Sequence, residues 1–330
     1  MKKFLAGALA VCLCFTGLFL SCGEKKKNEI YVYTPDGAPA LAFAYAMHGD
    51  SADDGVSYEV VNPATIESYL TYRDEEKNAD ICALPLNTAS KLLGSGEKYQ
   101  LVGTVTNGNL YLLSDGGVAY NRENLALLKG KTVGVVQLAN VPGIVFKMIL
   151  TDLNIPYAEL KNGEEAKADK VNLKAVAPDT LMPTKGIDAF VAPEPQASVK
   201  VLKTSLEFVG SLQELYGGEK GFPQAVVVAK RSLLKKNPQA VEKLVKKLVD
   251  GAQWLETAEI SSICGAVSSH LTKGLTPSLT EKNLSRLAIE NSSVWFTSAQ
   301  ARKAEINEFL AKMVAVGGAA SAVDEAFFAK

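Results

Sequence analysis

The chain has 330 residues, with 35 Lys and Arg against 36 Asp and Glu, and a formal net charge of −1 at pH 7. That balance offers no basic surface for nucleic acid, and the length exceeds one typical core and suits two lobes of ordinary domain size. Only His48 and His270 are present, and neither has a nearby Cys or paired carboxylates at ligand spacing. Zinc-type sites and His-based nucleophilic triads are therefore not expected, and the reading calls for no metal and no cofactor.

In chain order, Lys2 and Lys3 precede Phe4 to Leu20, an uncharged apolar run that Ser21-Cys22 closes. A secretory signal peptide has this layout. The run is also about as long as a membrane span, so a permanent N-terminal anchor is the alternative. Cys22, followed at once by the polar stretch GEKKKNE, favours the first reading. The segment resembles a bacterial lipoprotein signal, in which the cysteine is lipidated and becomes the new N-terminus. Phe19 and Leu20 depart from the usual pattern of Leu three before the Cys and a small residue two before. The expectation is a signal peptide over 1–21 and a lipidated tether over 22–28, with plain secretion or an uncleaved anchor as alternatives. In each case the folded part works outside the cytoplasm. Removing Lys2 and Lys3 with the leader takes the formal charge from −1 to −3. Cys82 and Cys264 sit in apolar patterns and read as buried thiols; no spacing supports a disulfide between them.

Beyond the tether, short apolar strands alternate with helical patterns. Strands are expected at Ile30 to Tyr33, Tyr58 to Val61, Ile81 to Leu84, Gln100 to Val105, Thr132 to Val136 and Ala189 to Val191. Helices are expected at Ala38 to Met47, Ile66 to Tyr72, Thr88 to Leu93, Pro142 to Leu153 and Pro195 to Leu202. Such alternation implies a parallel sheet covered by helices. After about residue 230 the pattern turns mostly helical. Val241, Leu244, Val245, Leu248, Ala252 and Leu255 recur at helical spacing, with Lys243, Lys246 and Lys247 on the other side. That stripe reads as a core-facing helix with a solvated face, the alternative being a membrane-surface helix.

Four strand-to-helix junctions carry the functional signal: Thr34 to Ala42 (TPDGAPALA), Ala83 to Gly94, Leu128 to Leu150 and Gly186 to Ser198. In open parallel sheets ligands bind at the carboxyl ends of strands, where helix N-termini offer unpaired N–H groups and a positive dipole end. Asn87 and Asn140 are candidate N-caps, and Pro39 and Pro142 fit the first helical turn.

TPDGAPALA, LKGKTVGV, IDAFVAPEP and FPQAVVVAKRSLLKKNPQAVEKLVKKL together resemble, in type and order, the solute-binding proteins of ABC importers, in the family with nitrate-, taurine/sulfonate- and thiamine-pyrimidine-binding components. The resemblance covers essentially the whole mature chain. It implies an α/β, type II periplasmic-binding-protein fold, two lobes joined by two crossover strands, with ligand trapped between them. The crossings fall near Asn107 to Leu112 and Gly221 to Val226, giving one lobe over 29–108 plus 222–330 and another over 109–221. It implies as partners a small-molecule ligand and an ABC permease with its ATPase, for a protein expected to be monomeric and held to a bacterial membrane by lipid on Cys22.

The expected ligand-binding residues are Thr34, Asp36, Gly37, Asn87, Thr88, Asn107, Asn109, Gln137, Asn140, Glu194 and Gln196. Amides and hydroxyls dominate; Asp36 and Glu194 could accept from an amine. None of the four turns has an Arg at its tip, and Lys131 and Lys147 sit back from theirs. This set, with Tyr33, Tyr45, Tyr111 or Phe222 to stack on, suits a pyrimidine-like vitamin precursor. A sulfonate, taurine or nitrate-type anion held by helix N-termini is the alternative. Other readings stay open beside these: Asp36 as a cap of the first helix, Glu194 bonding N–H groups of its own turn, and Asn107 and Asn109 serving only the crossover. An enzyme is not expected, because the Cys-rich motif of thiamine-pyrimidine synthases is missing and no nucleophile, base and orienting acid come together. A receptor's sensor is the other rival; a fused kinase or transmembrane segment would support it, none is read in this sequence, and import is the expectation.

Overall fold

The structure is a computed structural model that describes residues 29–49, 55–73, 78–217 and 220–330. The expected signal peptide, the tether and Cys22 lie outside the described residues.

The first stretch runs β1 (Ile30–Pro35), α1 (Ala38–His48), β2 (Val56–Val61), β3 (Ile81–Pro85), α2 (Leu86–Leu93) and β4 (Tyr99–Thr106). A second sheet is then built from β5 (Leu110–Ser114), β6 (Thr132–Val136), α3 (Val141–Asp152), β7 (Tyr157–Glu159), β8 (Val171–Val176), β9 (Ala189–Pro193), α4 (Gln196–Lys203), β10 (Glu207–Ser211) and α5 (Leu212–Tyr216). The chain returns through β11 (Ala225–Lys230), α6 (Arg231–Lys236), α7 (Pro238–Thr257), α8 (Ile260–Ser268), α9 (Arg286–Asn291), β12 (Val294–Ser298) and α10 (Lys303–Ala315). One sheet has the order β12-β4-β11-β3-β1-β2 and the other β10-β5-β9-β6-β8-β7. The α/β architecture of two lobes joined by two crossings is therefore as expected.

Each sheet has a parallel centre and antiparallel additions. β1 pairs in parallel with β2 and β3, and β6 with β8 and β9. These strands read as continuous apolar runs because helices cover both faces; Val133, Val135 and Val136 of β6 are all buried. β11 lies antiparallel between β3 and β4, and β5 antiparallel beside β9. All six expected strands fall inside observed ones.

Two expectations change. The expected helix at Ile66 to Tyr72 is a 3-10 helix over Pro63–Leu70. Pro63 can open a helix but not continue one, and the Asn62 side chain accepts from Ala64 N at 2.9 Å to cap it. The C-terminal third also contains a strand: Val294–Ser298 adds β12 to the edge of β4, with an irregular register. The apolar stripe of α7 is covered, since Val241, Leu244, Leu248 and Leu255 are buried and the helix packs on α1. Its N-terminus is capped by the Asn237 side chain, which accepts from Ala240 N. Cys82 and Cys264 are free and buried.

The crossings lie side by side. Phe222 N and Gln224 N donate to Asn107 O and Thr106 O, at 3.3 and 3.0 Å. Gln213 Oε1 accepts from Leu110 N at 2.9 Å. Gly221 has φ +64, and a Cβ there would meet Asn107 O at 1.9 Å, so this approach admits only glycine. Behind the crossings α10 packs on α2 and α3, one from each sheet, and Phe309 stacks on Phe222 at 5.6 Å.

Candidate ligand site between the lobes

A cavity of about 430 Å³ opens where the strands of both sheets end. Its walls come from the turn after β1 (Asp36, Gly37, Pro39), the turn after β2 (Pro63, Glu67), the start of α2 (Asn87, Thr88) and the turn after β6 (Gln137, Asn140, Pro142). Pro193 and Glu194 after β9 and the crossing residues Thr106, Asn109 and Gln224 complete it. Eight of the eleven expected residues line it: Asp36, Gly37, Asn87, Thr88, Asn109, Gln137, Asn140 and Glu194.

Three do not. Thr34 is buried at the end of β1, with no hydrogen-bond partner for its hydroxyl. Asn107 is fully buried behind the crossing. Its amide donates to Trp295 O at 3.0 Å and Ser293 O at 3.3 Å, while its Oδ1 accepts from Thr104 Oγ1 at 3.2 Å and from Arg302 Nη1. Those bonds use the side chain up, which matches the crossover-only reading. Gln196 faces a separate cavity beyond Pro195.

The helix starts explain why the other eight converge. Gly37 is the N-cap of α1 with φ +107, a conformation that favours glycine, and nothing lies within 4 Å of where its Cβ would be. Asn140 is the N-cap of α3, yet its side chain makes no capping bond and is exposed to the cavity. Asn87 is not a cap: α2 starts at Leu86 behind Pro85, and Asn87 Nδ2 donates to Ala319 O at 3.3 Å. The first turns of α1, α2 and α3 all line the cavity, bringing three positive dipole ends and unpaired N–H groups to one place. Gln137, in the turn before α3, holds a left-handed φ of 57°, a strained conformation for a side-chain-bearing residue at a wall of the cavity.

Among the described residues the lining has three acids, Asp36, Glu67 and Glu194, and no Lys or Arg. Two of the acids are already engaged. Asp36 accepts from Gly37 N at 2.9 Å and Ser278 N at 2.7 Å. Glu194 accepts from Ser198 N at 3.0 Å, Ser198 Oγ at 2.7 Å and Asn291 Nδ2 at 3.1 Å. Burial pushes the Glu194 carboxyl above its ordinary value, while the bonds from Ser198 and Asn291 pull it back. Lys147 is buried on an ion pair with Glu159 at 3.0 Å, and Lys131 reaches Tyr120 at 3.4 Å, so neither cation faces the cavity. Asn109 Oδ1 accepts from Gln224 Nε2 at 2.8 Å, leaving Gln224 Oε1 and Asn87 Oδ1 buried without partners.

Among the described residues, no aromatic lines the cavity. Tyr33 packs on Tyr69, Tyr45 on Trp254, and Phe222 on Phe309. The Tyr111 hydroxyl donates to Asn291 O at 3.1 Å. Six prolines supply the apolar wall instead. Gln224, Thr106, Glu67 and Pro63 were missed by sequence reasoning. The Asn62-Pro63 pair after β2 was the available signal for a fifth junction, and Gln224 is a polar residue inside the second crossing. Among the described residues no group of His, Cys, Asp and Glu could hold a metal ion, and no helix is long and apolar enough to cross a membrane.

Two lobes, paired crossings and a cavity between them define a periplasmic-binding-protein fold. An ABC transporter from Parabacteroides distasonis superimposes with TM-score 0.65 and 19% identity, over 92% of this chain and 99% of that one. The aliphatic sulphonate binding protein SsuA from Escherichia coli gives 0.59 and 11%, over 88% and 89%. The alkanesulfonate-binding protein SsuA from Xanthomonas axonopodis pv. citri, bound to MOPS, gives 0.56 and 15%, over 91% and 96%. At these identities the likeness is one of fold. No curated protein sequence matches the chain. Residues 104–267 match the NMT1-like family model. That match agrees with the resemblance read from its motifs.

Proposed function

We propose that the protein is the extracytoplasmic solute-binding component of an ABC importer, a binding protein rather than an enzyme. Residues 29–108 plus 222–330 form one lobe and 109–221 the other. Contacts from both lobes shift a solute-loaded molecule toward the closed form, which docks on a permease whose ATPase drives release. Lipid on Cys22 keeps the monomer near that permease and raises its effective concentration there.

For the ligand, the observation that carries the reading is the convergence of three helix N-termini on a cavity that has no Lys or Arg among its described lining residues. Such termini hold an oxyanion through N–H groups and dipole alone. Asp36 and Glu194 oppose an anion less than their charges suggest, because N–H and O–H donors already face them. The partnerless Asn87 Oδ1 and Gln224 Oε1 call for donors on the same solute. An oxyanion at one end and an N–H group at the other describe a small aminosulfonate. Two neighbours in fold are sulfonate-binding proteins, which supports this choice. The pyrimidine-like ligand is the second reading; the two unmet amide oxygens suit its amino group, but no ring to stack on lies among the described lining residues.

Isothermal titration with taurine, ethanesulfonate and a 4-aminopyrimidine tests the choice. Taurine is expected to bind tightest. Saturable binding of the pyrimidine alone would overturn the sulfonate reading and leave the fold and its transport role standing.

A further inference from the structure

Helix α7 carries two apolar stripes. Leu244, Leu248 and Leu255 are buried in the core, but Val245 and Val249 line a groove of about 1010 Å³ together with Val102, Leu234 and Phe296. Val249 is 52% exposed there, so this second stripe is open among the described residues. Contiguous apolar surface left open in this way marks an interaction site.

A basic run flanks the groove. From Lys230 to Asp250 the chain has seven Lys and Arg against two acids, Glu242 and Asp250, in a protein whose formal charge is −1. Lys230, Arg231 and Lys246 are engaged, on Asp80 at 2.9 Å, Gly96 O at 3.4 Å and Asp250 at 2.6 Å. Lys235, Lys236 and Lys243 are exposed and form no ion pair among the described residues. Lys235 lines the groove itself.

The same edge of the sheet is where the chain enters the body. Tyr31 N donates to Asp80 Oδ2 at 3.0 Å and Lys230 N to Asp80 O at 2.8 Å, so β1 begins beside the point where β11 ends and α6 leaves. Val32, Ile81, Ala229 and Gln100 form one row across the sheet, and Gln100 lines the groove. Three strand spacings separate the groove from β1 by about 14 Å. The seven residue steps from Cys22 to Glu29 reach at most about 25 Å. We propose, on the reading that Cys22 carries lipid, that the α6–α7 face is a docking surface for an anionic phospholipid membrane. Lys235, Lys236 and Lys243 meet headgroup phosphates, and the stripe of Val245 and Val249 meets the acyl boundary. Charge complementarity selects anionic lipid, and the open stripe suits an interface that is polar outside and apolar within. A basic surface beside a lipid chain supplies the second of the two signals that stable anchoring takes.

Cosedimentation of the purified full chain with vesicles tests this, comparing equal parts phosphatidylglycerol and phosphatidylcholine with phosphatidylcholine alone. Cys22→Ser takes no lipid and so separates the surface from the anchor. Preference for the anionic vesicles is expected in both forms, fading at high salt. In the Cys22→Ser background, Lys235→Gln, Lys236→Gln and Lys243→Gln should each lower partition onto anionic vesicles about fivefold. Val249→Ser, which leaves the charge unchanged, should also lower it about fivefold. All four side chains are exposed, so unfolding midpoints should not move. Lys161→Gln, past β7 in the other sheet, should leave binding unchanged. Fatty-acid labelling reads the anchor by itself. Labelled protein without anionic preference would overturn the docking surface and keep the anchor, whereas preference in unlabelled protein would support the surface and remove the anchor. Equal binding to both vesicles, indifference to all four variants, or a dimer that Val249→Ser weakens in place of vesicle binding would each overturn the proposal.

Discussion

Asn291 donates from Nδ2 to Glu194 Oε1 at 3.1 Å and accepts at its backbone oxygen from the Tyr111 hydroxyl at 3.1 Å. Asn291 ends α9, which leads into β12 of one sheet, while Glu194 and Tyr111 belong to the segment that builds the other. One residue therefore ties the two halves together beside the cavity. Replacing it by Ala removes a bond to a buried carboxylate, and solute affinity should fall about tenfold with little loss of stability. Calorimetric titration measures this. Unchanged affinity would mean that the tie plays no part in closure.

Glu194 gives the tie a pH dependence. Burial raises its folded-state pKa above the unfolded value, so the native form holds the proton more tightly between the two. Its favourable contribution is complete below the unfolded value near 4.5 and is lost as pH rises through the folded one. Urea midpoints measured upward from pH 4.5 should thus fall more steeply for the wild-type protein than for Glu194→Gln. Parallel curves would remove Glu194 as the cause.

At the turn before α3, Gln137 combines strain with exposure to the cavity. Gly adopts its φ of 57° without a penalty. Gln137→Gly should therefore raise stability by about 1 kcal/mol while weakening solute binding. Chemical denaturation and titration on the same variant read both effects.

Arg302 secures the first crossing from behind. It is 3% exposed and bonds Asn107 and Thr104, with Glu305 completing its shell. Arg302→Ala leaves Asn107 Oδ1 short of a donor and should cost about 3 kcal/mol. Combining it with Asn107→Ala should cost much less than the sum, because both belong to one network. Additive losses would show the two acting apart.

Much of this architecture was visible in the residues, for local reasons. Each of the four junctions is an apolar strand, a turn rich in Gly, Pro, Asn or Asp, and a helix start, and all of that chemistry lies within a dozen residues. What escaped depends on distant partners. Asn107 and Asn109 look alike in sequence, but Arg302 and Trp295 claim the first while Gln224 turns the second into the cavity wall. The four aromatics nearest the junctions were drawn to Tyr69, Trp254, Phe309 and Asn291, residues that no local pattern connects to them. β12 was hidden for a related reason: SSVWFTS lacks alternation, and its residues become a strand only by joining β4.

The proposed ligand is a small solute with an oxyanion at one end, held between the lobes on three helix starts. Mass spectrometry of whatever is released when the purified protein is denatured addresses it directly. The expected result is a sulfonate-bearing solute in near-stoichiometric amount, lost from Asn291→Ala during purification. A co-purified aromatic heterocycle with no anionic group would contradict it.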